Sequence, residues 1–151
     1  MRTRSLALAA LVAIALPVAA AAQAPALNWG PAPPVFPAGA RMAVVQGDPG
    51  QTGMFTVRLE MPNGYRLAPH FHPTEEVVTV ISGTFSVGMG DTLEPARATA
   101  LPAGGIVHLD ANMHHWAITR GRTVVQVNSM GPFALIYVNP ADNPQGRTST
   151  R

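Results

Sequence analysis

Glycine and proline punctuate this chain so often that long helices have no room to form. GDPG (47–50), PNG (62–64), HPT (72–74), GDTLEP (90–95), PAGG (102–105), TRGR (119–122) and GP (131–132) separate short apolar runs rich in valine, isoleucine and threonine. Each break carries a residue that a tight reversal needs. Fifteen prolines and fourteen glycines make up about a fifth of the chain and follow no repeating period. The runs predict strands near 41–46, 53–61, 65–71, 75–82, 83–89, 97–101, 104–109, 113–119, 122–129 and 133–138. Ten strands in about a hundred residues with no helical period describe an all-β barrel or sandwich. GMGD (88–91) and PAGG are both read as turns.

At 151 residues, 47% of them hydrophobic and 12% charged, the chain has material for one core and not for two. Residues 1–22 are expected to stand outside that core as a cleavable secretory signal. Arg2 and Arg4 form the positive start, Leu6 to Leu16 is a short apolar stretch, and small residues follow Pro17 up to a cleavage point after Ala22 or Ala24, Ala22 being preferred because Pro25 would otherwise start the mature chain. The alanine content and Pro17 argue against a membrane span. The expected mature protein is therefore soluble and periplasmic or secreted. Without Arg2 and Arg4, eight arginines face eight acidic residues and the formal charge of +2 falls to zero. The arginines are scattered without a run, so nucleic-acid binding has no footprint. No cysteine is present, so no disulfide framework stabilises the fold.

Residues 23–40 hold five prolines beside Trp29, Val35 and Phe36, apolar groups that are costly to leave in water. An extended N-terminal arm lying on the domain is expected there. The β domain then spans 41–140, and a tail rich in proline and asparagine closes the chain over 141–151.

The stretch PHFHPTEEVVTVISG, Pro69 to Gly83, gathers two of the five histidines and two of the eight acidic residues. In a strand, His70 and His72 point to the same face, a spacing suited to holding one metal ion. Pro69 and Pro73 bracket the pair and restrict its backbone. Glu75 and Glu76 follow after a turn, and spacing alone leaves both available.

These residues resemble the first motif of the cupin superfamily. Gly64, His70, His72, Glu76 and Gly83 stand at its spacings, with five, one, three and six residues between successive members. The resemblance implies a small antiparallel, jelly-roll-like barrel in which His70, His72 and Glu76 bind a metal, and it selects Glu76 over Glu75. The second cupin motif supplies one more histidine. Counting from Gly104, the spacing leads to His115, although the usual proline is Asp110, the second glycine is Asn112, and the usual asparagine is Thr119. Asn112 can adopt the left-handed conformation of glycine and Asp110 forms turns readily, so a hairpin survives these changes. His114 and His108 are the alternative fourth ligands. His108 needs one extra residue in its strand, which turns it to the opposite face.

Three imidazoles and a carboxylate suit a single divalent transition metal, Mn, Fe, Ni, Cu, Co or Zn, and no thiolate narrows the choice. The resemblance implies metal chemistry on a small polar organic substrate, of dioxygenase, isomerase or hydrolase type, with Glu76 as the candidate catalytic residue because a ligand carboxylate can also take a proton. Val78, Val80, Trp116, Ile118, Phe133 and Tyr137 are candidate wall residues. The alternative is a non-catalytic module that binds a metal or small ligand, since no further titratable residue in the motifs has an evident role beyond His114, Glu75 and Tyr65. Pairing of two barrels through edge strands into a homodimer is a further expectation. Ser82, Ser86 and Ser129 lack a nucleophile-elbow setting.

Overall fold

A computed structural model describes residues 26–146. The expected signal (1–22), the start of the arm (23–25) and the end of the tail (147–151) lie outside the described residues. Nine strands form: β1 (Gly30–Pro31), β2 (Arg41–Gln46), β3 (Gly53–Met61), β4 (Arg66–Phe71), β5 (Glu76–Met89), β6 (Thr99–Pro102), β7 (Ile106–Leu109), β8 (His115–Gly131) and β9 (Ile136–Tyr137). Only single 3₁₀ turns, each containing a proline, interrupt the strands and loops among the described residues.

Two pairs of expected strands merge. Residues 75–82 and 83–89 make the single strand β5, and 113–119 and 122–129 make β8. Gly83, at the expected boundary between two strands, and Gly121, in the expected TRGR turn, take positive φ, 77° and 73°, and both bend a strand without ending it. The β5–β8 ladder shifts register on either side of Ser82 and resumes at Thr84 opposite Arg120. A side chain at Gly83 would meet the Arg122 carbonyl at 2.6 Å, so the close crossing needs glycine. The 133–138 run keeps only two paired residues, Ile136 and Tyr137.

The bend lets β5 and β8 run through both halves of a curled antiparallel sheet. In one half the order is β1, β2, β3, the C-terminal part of β8, the N-terminal part of β5, and β7. In the other it is β9, β4, the N-terminal part of β8, the C-terminal part of β5, and β6. The result is a jelly-roll-like all-β barrel. Inward residues alternate along each strand: Phe55, Val57 and Leu59 on β3, Val78 and Val80 on β5, and Val125 and Val127 on β8 are all buried. Past the Gly83 bend the inward set on β5 moves from even to odd positions, to Phe85 and Val87.

The N-terminal arm lies against this barrel. Phe36 is buried, the Tyr65 hydroxyl donates to the Pro37 carbonyl at 2.7 Å, and the Tyr137 hydroxyl donates to the Val35 carbonyl at 2.8 Å. Burial, with Tyr137 close by, raises the Tyr65 hydroxyl above the ordinary tyrosine range, so it stays a donor.

Candidate metal centre

Strand β4 is irregular at one place, and that irregularity aims its histidines. Leu67 pairs with Ala117, but the next pair is His70 with His115, one residue out of step. The extra residue falls at Ala68–Pro69, where proline has no N–H to give the ladder. Without this bulge, His70 would stand on the face opposite Leu67. With it, His70 and His72 turn into the barrel beside Leu67, facing His115 at the start of β8. The turn before β8 holds the same region from below. Asn112 has φ 61° and its N–H donates to the His72 carbonyl at 2.8 Å, while Met113 N–H donates to the Asp110 carbonyl at 3.1 Å. Of the three residues that depart from the family pattern, Asp110 and Asn112 still build the turn.

His70, His72 and His115 are buried, and one ring nitrogen from each lies within 4.8 Å of the others. Their ring centroids are 4.2 Å (His70–His115), 5.0 Å (His70–His72) and 5.3 Å (His72–His115) apart. Each Nδ1 donates to a backbone carbonyl: His70 to Ala68 at 2.7 Å, His72 to Ala134 at 2.8 Å, and His115 to Met113 at 2.9 Å. A carbonyl only accepts, so in the neutral rings the proton sits on Nδ1 and the Nε2 lone pair is free. Burial, and then the imidazoles of His115 and His72, hold His70 well below the ordinary histidine range. Burial also lowers His72, against the opposing pull of Glu76 and the Ala134 carbonyl. The carbonyl bonds orient all three rings, and the lowered pKa of His70 and His72 favours the neutral form that metal binding requires.

Glu76 opens β5 and is buried, with its Oε1 3.4 Å from His115 Nε2 and 3.6 Å from His72 Nε2. Its place is fixed by pairing with Leu109 of β7 and Ser129 of β8. The Ser129 hydroxyl donates to the Glu75 carbonyl at 2.6 Å and pins the backbone just before it. The alternatives weighed from sequence lie elsewhere. Glu75 and His108 are exposed and meet each other at 3.1 Å, and His114 donates to Asp91 at 2.6 Å while stacking on Phe71.

The histidine cluster opens into a cavity of about 270 Å³ in the barrel interior. Val78 and Phe133 line it as expected, and the Phe133 ring stacks on His72 at 4.5 Å between centroids. Val80 and Tyr137 are buried but do not line the cavity, and Ile118 is not part of its wall. Trp116 is also absent from the wall. It pairs with Gly88, where any side chain would collide with the indole, so Gly88 is a strand residue serving that packing and not a turn residue. Sequence reasoning missed the Ala134 carbonyl that orients His72 and most of the wall, including the arm residues Val35 and Phe36. The carbonyl has no local signal, and the apolar arm residues signal burial without saying against which part of the fold.

Residues 57–130 match the family model described as a cupin domain. The solved structures agree in fold. The chain belongs to the cupin superfamily. A putative acetylacetone dioxygenase from Methylibium petroleiphilum PM1 is 22% identical, with a TM-score of 0.58 over 78% of this chain and 79% of that one. The polyketide cyclase RemF from Streptomyces resistomycificus is 17% identical, with a TM-score of 0.59 over 71% and 76%. KdgF from Halomonas sp. is 19% identical, with a TM-score of 0.54 over 69% and 86%. At these identities the likeness is one of fold. A comparison with curated proteins gave no match.

Proposed function

We propose that this cupin is an exported metal-dependent enzyme that holds one divalent transition metal through His70, His72 and His115, with Glu76 as fourth ligand, and acts on a small organic molecule in the adjoining cavity. The observation that carries this reading is the convergence of three buried imidazoles, each with its Nδ1 proton committed to a carbonyl. Such donors have little use without an electrophile between them. A bound metal would supply Lewis-acid or dioxygen chemistry, as suits the N/O donor set. Glu76 Oε1, between two of the rings, is the protein group placed to hold a proton during turnover. The similar structures include a putative dioxygenase and a polyketide cyclase, which is compatible with either chemistry.

A binding module is the second reading, and one observation favours it. Among the described residues that line the cavity, no side chain beyond the three histidines and Glu76 is titratable. Metal analysis tests the site itself. Purified protein should carry about one equivalent of metal, and His72→Ala should abolish it. Glu76→Gln should weaken binding, whereas Glu75→Gln should not. Full metal content in the His72 variant would sink the assignment. Metal-loaded protein that binds small chelators but neither alters them nor consumes dioxygen is a binding module. Export rests on residues 1–22, and a purified chain that still begins at Met1 after expression in a secreting host refutes it.

A further inference from the structure

The cavity around the histidine cluster has a chemical character that the ligand set does not dictate. Among the described residues, its only polar side chains are His70, His72, His115 and Glu76, and every other lining side chain is hydrocarbon or thioether, or glycine. The backbone offers little more where it lines the wall. The Pro49 carbonyl already accepts from Phe133 N–H at 2.7 Å, and Gly50 N–H donates to the Asp48 carboxylate at 2.8 Å. The arm adds Val35 and Phe36 to the wall, and the Tyr137 and Tyr65 hydroxyls bond its backbone in place. A polyhydroxylated molecule would bury hydroxyls there without partners, at a cost of about tenfold or more in affinity for each.

Resting on the metal-centre reading above, we infer that the cavity selects a compact molecule with a single chelating polar head and a hydrocarbon body, and discriminates against sugar-like substrates. This replaces the expectation of a generally polar substrate with one whose polarity is confined to the metal-facing end. The volume of about 270 Å³ corresponds to roughly nine water volumes and so to a molecule of about nine non-hydrogen atoms. Four heteroatom donors gathered on one wall of an apolar chamber give such a molecule one orientation, head toward His70, His72 and His115.

Three hydroxamates test the inference on full-length protein loaded with Ni(II): acetohydroxamate, hexanohydroxamate and 6-hydroxyhexanohydroxamate. They share one chelating head and differ in the body. Affinities are read by calorimetry, and nickel content is measured in the same samples. Each buried methylene should tighten binding up to about fourfold, so hexanohydroxamate should bind up to about two orders of magnitude tighter than acetohydroxamate. The terminal hydroxyl should cost about tenfold or more. With nickel present, equal affinities for the two unsubstituted compounds, no binding of any of them, or a hydroxyl-terminated compound that binds as well as its parent overturns the inference and leaves the metal centre standing. If nickel does not load at all, the metal centre falls and takes the inference with it.

Discussion

Acid should destabilise the metal-free protein through its own ligand histidines. His70 is pushed well below its ordinary pKa by burial and by the imidazoles of His115 and His72, and His72 is lowered by burial. The unfolded chain keeps the ordinary value of about 6.5, so below that pH it binds protons that the folded chain refuses. The unfolded state then holds more protons, and stability falls as pH falls, from about 6.5 down to the depressed folded value. Between about pH 7.5 and 5.5, a histidine that stays neutral in the fold removes about 1.4 kcal/mol, and His70 and His72 together remove up to about 2.7 kcal/mol. Against a typical total of about 5–15 kcal/mol this is a large fraction. Urea denaturation at both pH values, with chelator present so that metal release does not contribute, measures the difference. A His70→Gln variant should lose about half of it. Equal stability at the two pH values, or greater stability in acid, would refute the claim that these rings are buried neutral.

Bound metal should respond in the same direction, because it competes with protons for the same Nε2 atoms. Metal should dissociate as pH drops below about 6.5, shifted lower by its own affinity, and retention at about pH 3 would point to a different ligand set. Gly83→Ala should destabilise the fold by about 2 kcal/mol or more, since φ is 77° and the new Cβ would lie 2.5 Å from Thr123 Oγ1 and 2.6 Å from the Arg122 carbonyl. A wild-type denaturation midpoint in that variant would show that β5 and β8 do not cross as closely as described. Tyr137→Phe removes the hydrogen bond to the Val35 carbonyl, worth about 1 kcal/mol. Amide exchange at Ala32 and Phe36 should quicken while metal content holds, and unchanged exchange would mean the hydroxyl does not anchor the arm.

Strand alternation made His70 and His72 legible as a pair, but it could not say which face the pair would take. That face is set by the bulge at Ala68–Pro69, and a proline in a sequence marks a restricted backbone without revealing that it also shifts the register against β8. Glu75 and Glu76 were inseparable by spacing because a turn intervenes. They are separated by pairing with Leu109 and Ser129, residues 33 and 53 positions beyond Glu76. The TRGR segment misled for a related reason: glycine permits positive φ equally in a turn and in a bent strand, and only the long-range β5–β8 ladder shows that Gly121 bends a strand.

The second histidine motif shows what a local pattern must preserve and what it can give up. Delivering His115 to the cluster requires a turn that reverses the chain just before β8 and a backbone contact that ties this turn to His72, the residue after β4. Asn112 meets both needs, with φ of 61° and its N–H on the His72 carbonyl at 2.8 Å, and Asp110 accepts the closing bond from Met113. Neither task uses a side chain peculiar to glycine or proline. Asparagine tolerates the left-handed region at small cost, and any residue offers the amide and carbonyl. The cavity wall has the opposite character: its apolar nature belongs to side chains drawn from the arm and from most of the strands, and no single segment announces it. Ligand geometry can therefore survive a degraded motif, while substrate preference has to be read from the assembled barrel.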